Sequence, residues 1–381
     1  MTRVLHVFTS AKFVPFVLPL LTGLKANGYE VLAASSDGID LRHLEALGIE
    51  VHRLFMTRRV TPLRDLKSVW ELTRLLATLK PDVVHAHNPK AGLLTMLAAS
   101  FVGISPRIYH VHGSPFLTAE GRRLRLFWLT ESVSHFLSSA PIAVSRSLID
   151  ALAEAGVWNA TSAEVLGRGS AAGIDTSRYQ SSAGRERGSQ LRRFHGLDER
   201  SLVLGFAGRY IREKGLSELH AAWIQILKRF PSAHLLLAGA PDGDEAALVE
   251  ELRQASNVID LGFLEDMAPF FEAIDVFALP SYREGLSTVL LEALAFEVPV
   301  VASRTVGTVD VVVPGENGFL VPPKDAPALS RAVLELFGDA ALRAELGRNG
   351  RELVVRSFGR AQMLKALVAF YTELGFPPGP D

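Results

Sequence analysis

The 381-residue chain contains no cysteine. A disulfide framework, a thiolate nucleophile and a Cys-ligated metal are thereby excluded, and a reducing compartment is compatible with the composition. Long hydrophobic runs are missing too. No apolar stretch reaches the ~20 residues that a membrane-spanning helix needs. The first ten residues, MTRVLHVFTS, open directly in a strand pattern and lack the apolar core and cleavage site of a secretory signal. A cytoplasmic location is expected, with peripheral contact to the inner face of the cell membrane as an extension. Charge of one sign is also lacking, since the formal net charge is −1. The balance is nevertheless uneven. Residues 1–180 carry 19 Lys+Arg and 14 Asp+Glu, a net +5, which leaves −6 for the remainder. A basic N-terminal half suits an anionic membrane or a phosphate-bearing acceptor. It equally suits ordinary scatter of surface charge.

What is present fits two α/β domains, each able to bury its own core. Residues 4–8 read as a strand, Ser10 and Lys12 sit in the turn after it, and a helix and a second strand follow, the opening of a doubly wound sheet. A strand at 82–87 ends in His85-Ala86-His87. Pro89 then starts a helix whose first turn holds Lys90, where a cation is unfavourable unless it serves a ligand. The next strand runs into YHVHGSPF and holds His110 and His112. Alternate strand residues point to one side, so either His pair can chelate, but no further ligand follows at metal-site spacing and no metal is expected. Asp242-Gly243-Asp244 reads as a loop and helix cap. Gly167, Gly169 and Gly173 in GRGSAAGID are followed by no helix, so they are not a dinucleotide fingerprint. Basic clusters occur at Arg58, Arg59, Arg64 and Lys67, and at Arg122, Arg123 and Arg125. Each is an anion or membrane contact, or a solvated face. The tail GFPPGPD is expected to be disordered.

Chemistry concentrates in residues 279–292, LPSYREGLSTVLLE. A short apolar strand ends in a turn punctuated by Pro280, Ser281 and Gly285. Ser287 is a good N-cap, and the helix start behind it attracts anions such as phosphate. Glu284 stands in the turn. Glu292 lies among Val289, Leu290, Leu291, Ala293 and Leu294, where a carboxylate is costly unless something hydrogen-bonds it. Either a buried ion pair or a ligand with phosphates and hydroxyls satisfies that need. A second segment, GRYIREKG at 208–215, also lies between a strand and a helix. Its glycines let backbone approach phosphate, Arg209 offers a fork and Lys214 a point charge.

Together these segments resemble the family 4 retaining glycosyltransferases of GT-B fold, subgroup members of which build bacterial polysaccharides on lipid carriers. VVHAHNPKAGLLTMLAA and YHVHGSPF extend the likeness into the N-terminal half. The resemblance implies an α/β architecture of two doubly wound Rossmann-like domains facing a cleft. It implies an acceptor-side domain over 1–178, a linker and entry helix over 179–200, a nucleotide-sugar domain over 201–356, and a C-terminal helix over 357–375 that crosses back. It also implies site roles. Glu284 would touch the donor sugar, with His112 nearby. Gly208, Arg209, Lys214 and the helix start at Gly285, Leu286, Ser287 and Thr288 would receive the diphosphate. Glu292 would bind the ribose, and Gly262, Phe263 and Leu264 the nucleobase through main chain. Glu284, His112, Arg209 and Lys214 form the expected catalytic set. Ser10, Lys12, His87, Lys90, Arg168 and Ser170 would border the acceptor side of the cleft. The glycine pair that many relatives carry in the first turn is absent, and Glu131 is followed by Ser132 where the family often has Arg.

The implied activity is transfer of a sugar, with N-acetylhexosamine preferred, from a UDP-sugar to a lipid-linked or other glycan acceptor, with retention and without metal or cofactor. The expected partners are the nucleotide-sugar donor, the glycan acceptor and an anionic membrane surface, and no nucleic acid. Two alternatives share the fold and the donor: a sugar-nucleotide epimerase, and a non-catalytic nucleotide-sugar-binding protein.

Overall fold

The computed structural model describes every residue except 58, 180–181, 199, 243–245 and 380–381, and gives the backbone alone for 182–185 and 246. Two compact units result, one of Met1–Gly173 with Arg360–Asp381, the other of Ile174–Gly359.

The first unit is built on strands β1 (Arg3–Phe8), β2 (Glu30–Ser35), β3 (Glu50–Arg53), β4 (Val83–His87), β5 (Arg107–Val111), β6 (Ala140–Ala143) and β7 (Glu164–Val165). Helices α1 (Val14–Ala26), α2 (Leu41–Ala46), α3 (Pro62–Leu79), α4 (Pro89–Val102), α5 (Gly121–Leu137) and α6 (Arg146–Glu154) alternate with them. All strand pairs are parallel, in the order β3-β2-β1-β4-β5-β6-β7. The central strand β4 is buried throughout, which encloses His85 and His87 along with its apolar residues. The order reverses between β1 and β4, so the turns after these two strands flank the position where α/β sheets place ligands.

In the second unit α7 (Ser182–Phe194) precedes β8 (Val203–Ala207), α8 (Leu216–Arg229), β9 (His234–Ala238), α9 (Ala246–Gln254), β10 (Val258–Asp260) and α10 (Ala268–Ala273). Then follow β11 (Val276–Leu279), α11 (Thr288–Ala295), β12 (Val300–Ser303), β13 (Gly318–Val321), α12 (Ala326–Gly338) and α13 (Ala340–Ser357). This sheet is also parallel, ordered β10-β9-β8-β11-β12-β13, and reverses between β8 and β11. The two motif segments, 208–215 and 280–287, are the turns that leave those two strands. Topology alone thus brings them together.

Two expectations about the chain's course are corrected. The first junction lies at Gly173 and not at 178, because Ile174 N donates to Phe358 O at 2.8 Å inside the second unit. Within 179–200, where a linker and an entry helix are expected, α7 is held to its own unit: Gly188 N donates to Glu272 Oε2 at 3.1 Å, and Arg192 pairs with Asp275 at 2.8 Å. The tail, expected to be disordered, is tied down where it is described, since Tyr29 Oη donates to Phe376 O at 3.1 Å and Gly379 N to Gly28 O at 3.1 Å; residues 380–381 lie outside the described residues. The last helix, α14 (Arg360–Glu373), belongs to the first unit, where Leu364 covers Gly23 on α1.

Candidate functional site

In the second unit the two turns are laced together by backbone. Lys214 ends a 3-10 turn, Arg212–Lys214, and Gly215 follows in the left-handed region at φ +72°. A Cβ at Gly215 would stand 2.1 Å from Pro280 O, so only glycine allows this approach. Tyr282 N donates to Glu213 O at 2.8 Å across the same gap. From the other side, a Cβ at Gly307 would meet Gly285 O at 2.3 Å, so the 307–313 loop presses on the same turn.

Three cations belong to these two turns, which lie between β8 and α8 and between β11 and α11. Lys214 Nζ lies 2.6 Å from Glu284 Oε1, with the two side chains only 17% and 10% exposed. Residues expected to serve the diphosphate and the sugar separately are thus one shielded ion pair. Arg209 binds Asp242 at 2.8 Å in the open; Gly243 and Asp244 lie outside the described residues. Arg283 is the third cation, and the sequence reading passed it over. Burial holds its guanidinium below the ordinary arginine range, Glu213 and Glu284 pull it back up, and Arg209 pushes it down again. Its buried Nε has no partner among the described residues. The signal that could have found it was its place beside Glu284 in the motif turn.

Ser287 occupies the N-cap position, nearly buried, but its side chain makes no capping bond. The first N–H groups of α11 therefore lack the oxygen that normally covers them. Cations gathered at the positive end of a helix are unfavourable unless an anion joins them. Glu292 lies one turn inside α11. Burial raises its carboxyl to about 7, and the field of Arg178 draws it back. It makes no side-chain hydrogen bond among the described residues, and Arg178 is the charge that acts on it. Gly262 is expected to meet the nucleobase through main chain. Its N–H donates to Asp260 Oδ1 at 2.9 Å and its carbonyl accepts one bond, from Gly239 N at 2.8 Å. Phe263 beside it is 75% exposed, and Leu264 is half-buried.

In the first unit the sites expected on the acceptor side divide. Lys12 and Arg168 are exposed and Ser10 is half-exposed without a capping bond. Lys90 is ion-paired, as Lys214 is. Its Nζ pairs with Asp65 at 2.6 Å and donates to Arg59 O at 2.6 Å, which neutralises the cation at the start of α4. Ser170 is buried in a turn at φ +105°, with its Oγ accepting from Gly173 N at 3.1 Å. His87 is fully buried, between the rings of His6 and His112 and against Phe8 and Phe13. Glu131, noted only for the arginine it lacks, is buried and accepts from Tyr109 Oη and Ser114 Oγ, each at 2.9 Å. Burial pushes it up to about 7, against those two hydrogen bonds. It braces the turn that follows His112.

The sequence reading also missed His6. The register sets His6 of β1 beside His85 of β4, and His87 beside His110 of β5. His6 Nδ1 lies 3.0 Å from His87 Nε2, and His87 Nδ1 lies 2.9 Å from His112 Nε2. A second chain joins Tyr371 Oη to His85 Nδ1 at 2.7 Å and His85 Nε2 to His110 Nδ1 at 3.2 Å. Burial drives all five imidazoles down, His6 and His110 to about 3. The trios His6, His85, His87 and His87, His110, His112 each hold ring nitrogens within 4.8 Å of one another. In the first trio His85 and His87 lie nearly parallel at 10°, whereas in the second the three rings are inclined to one another by 35° to 40°.

Residues 14–169 match the family model described as "Glycosyl transferase 4-like domain", and residues 201–339 match "Glycosyl transferases group 1". The chain is 29% identical over 372 residues to the capsular polysaccharide biosynthesis glycosyltransferase CapM of Staphylococcus aureus, covering 97% of this chain and 96% of that one. It is 23% identical over 390 residues to the UDP-Gal:alpha-D-GlcNAc-diphosphoundecaprenol alpha-1,3-galactosyltransferase of Escherichia coli, covering 94% and 95%. Among solved structures it is similar in fold to Anabaena HepE in complex with UDP and glucose. The TM-score is 0.81 at 24% identity, over 98% of this chain and 100% of that one.

Proposed function

Because the chain belongs to the glycosyltransferase family whose two domain models together cover most of it, we propose that it moves a sugar from a UDP-sugar to a lipid-linked or other glycan acceptor in cell-surface polysaccharide synthesis. The observation that carries this reading is the set of Lys214, Arg209 and Arg283 on the two turns that leave β8 and β11, the second of which leads into the uncapped start of α11. A nucleoside diphosphate is the anion that such a place suits. As the glycosidic bond breaks, negative charge grows on the diphosphate, and these fixed cations and N–H groups stabilise it. They supply the charge that a metal ion would otherwise bring, so transfer proceeds without one. Glu284, held by Lys214, orients the sugar. Glu292 accepts from the ribose hydroxyls, which gives its buried carboxyl the partners it lacks.

Retention at the anomeric carbon follows from the family likeness at Glu284 and Glu292. The names of the S. aureus and E. coli relatives support polysaccharide synthesis, a UDP donor and a diphosphoundecaprenol-linked acceptor. N-acetylhexosamine is the preferred sugar. Peripheral contact with an anionic membrane is part of the same reading. Its support is in the first unit, where α3 exposes Leu63, Leu66 and Trp70 among Arg64, Lys67 and Arg74, and α5 exposes Leu129 and Phe136 beyond Arg122, Arg123 and Arg125. Arg58 lies outside the described residues. Among those described, no helix is long and apolar enough to cross a membrane.

The test is UDP release from UDP-N-acetylglucosamine with and without a polyprenyl-diphosphate-linked sugar, with the product's anomeric configuration read by NMR. Acceptor-dependent release and an α-linked product are expected. Conversion of the donor without acceptor indicates an epimerase, and binding without release a sensor.

A further inference from the structure

One carboxylate of the second unit has no part in the proposed transfer and yet is saturated with donors: Asp260, the last residue of β10. Its Oδ1 accepts from Tyr210 Oη at 2.7 Å and from Gly262 N at 2.9 Å. Its Oδ2 accepts from Arg253 Nε at 2.7 Å, with Arg253 Nη2 at 2.6 Å. The aspartate side chain is 10% exposed, so these bonds are shielded. Each donor comes from a different place. Tyr210 belongs to the turn after β8, next to Arg209. Gly262 belongs to the turn after β10, and Arg253 comes from α9. The Tyr210 ring is buried. Burial, then the bond and the charge of Asp260, raise its hydroxyl above the ordinary range against the field of Arg253. The proton therefore stays on Tyr210, and the bond has one direction.

Backbone runs along the same route. Gly208 N donates to Ala238 O and Tyr210 N to Ala240 O, each at 2.9 Å, and Gly239 N donates to Gly262 O at 2.8 Å. The turns after β8, β9 and β10 are thus laced in sequence, and the Tyr210–Asp260 bond ties the first directly to the third. All three lie on the carboxyl edge of a parallel sheet, where α/β domains place ligands. In the order β10-β9-β8 the outer turns are two strands apart. At ordinary strand spacing that is about 10 Å, near the length of a nucleoside. The turn after β8 carries Arg209 and Lys214. The turn after β10 exposes the ring of Phe263 and a Gly262 carbonyl with a second lone pair, which suit a flat polar heterocycle. A diphosphate alone needs only the first turn, whereas a nucleoside diphosphate needs both.

We propose that Tyr210 and Asp260 are positioning residues that set the distance between the turns after β8 and β10, so that one nucleoside diphosphate spans the two. Neither need touch the ligand. Asp260 acts through Gly262, whose N–H it holds, and Tyr210 acts through Asp260. A span fixed in advance spares the ligand the cost of ordering the second turn as it binds. That the ligand is a nucleoside diphosphate rests on the proposed transfer; the tie between the turns does not.

The test is Tyr210→Phe, which removes one hydroxyl and leaves the buried ring in place, beside Asp260→Ala and Asp260→Asn. Calorimetry with UDP and with inorganic pyrophosphate reads the two turns apart. Tyr210→Phe and Asp260→Ala should weaken UDP roughly tenfold and leave pyrophosphate unchanged. Asp260→Asn, whose carbonyl oxygen still accepts from Tyr210 and Gly262, should keep most of the UDP affinity. Hydrogen exchange over 258–264 should quicken in Tyr210→Phe. A Tyr210→Phe protein that binds UDP as the wild type does overturns the proposal. Equal loss of UDP and pyrophosphate also overturns it, because the damage would then lie in the turn after β8 alone. In turnover the loss should fall on the donor KM and not on kcat, since base and ribose are the same in ground and transition state. A fall in kcat at constant KM is a third contrary result. Binding needs no transfer. A wild type that binds UDP but transfers nothing would sink the functional reading and leave this proposal to calorimetry, whereas one that binds no UDP overturns both.

Discussion

Acidification from pH 7 to pH 5 should weaken the first unit and spare the second. The imidazoles of His6 and His110 fall from an ordinary 6.5 to about 3 on folding. Between those values the unfolded chain binds protons that the fold does not. The stability they contribute is complete above 6.5 and is lost as pH falls. Over the two units from 7 to 5, each loses roughly 2 kcal/mol, so about 4 kcal/mol together. His85, His87 and His112 move the same way. Glu131 opposes them. Its carboxyl rises from 4.5 to about 7 on folding, so its contribution is complete below 4.5 and is lost as pH rises. Acidification returns roughly 2 kcal/mol there. The imidazoles outweigh it. In the second unit Glu292 and Glu272 shift in the same direction as Glu131 and His234 shifts the other way, so acid acts there in both senses. Hydrogen exchange read by mass spectrometry, corrected for intrinsic rates, follows each unit separately. Protection of β1, β4 and β5 should fall by more than tenfold between pH 7 and pH 5, while that of β11 does not. Constant or rising protection of β1 over that interval would refute the buried neutral imidazoles.

Other consequences are accessible to simple variants. Gly215→Ala should cut turnover at least tenfold and lower the melting temperature, because its Cβ would collide with Pro280 O and its φ disfavours a side chain; wild-type kinetics and melting would show that the two turns do not approach as described. Co-sedimentation with anionic vesicles should be strong at low salt, weaker at high salt, and reduced by Arg122→Glu with Trp70→Ala; failure to co-sediment at any salt removes the membrane contact. Turnover should survive EDTA, and loss restored by a divalent ion would return attention to Asp242 and the histidine trios.

Much of the second unit was legible because its chemistry is local. The GRYIREKG and LPSYREGLSTVLLE segments each hold their residues within one turn, and strand order then brings the two turns together. The first unit was less legible because its polar partners are distant in sequence. His6 meets His87 across 81 positions and His85 meets Tyr371 across 286, and no spacing rule connects them. Lys90 looked unpaired because its partner, Asp65, belongs to a different helix. Glu131 showed only that it lacked a neighbouring arginine, since Tyr109 and Ser114 reach it from β5 and the turn beyond. Arg283 was readable and was missed. A cation beside a glutamate passes for a surface pair until its burial is seen.

The central claim is that Lys214, with Arg209 and Arg283, stabilises a departing diphosphate. It is tested most directly by the kinetics of Lys214→Ala and Glu292→Gln with a UDP-sugar donor. An interaction that strengthens as charge develops appears in kcat, and one that is uniform along the reaction appears in KM. Lys214→Ala should lower kcat by about 10²–10³-fold. Glu292→Gln, which meets ribose hydroxyls that do not change, should mainly raise the donor KM. A Lys214→Ala enzyme with raised KM and unchanged kcat would contradict the leaving-group role.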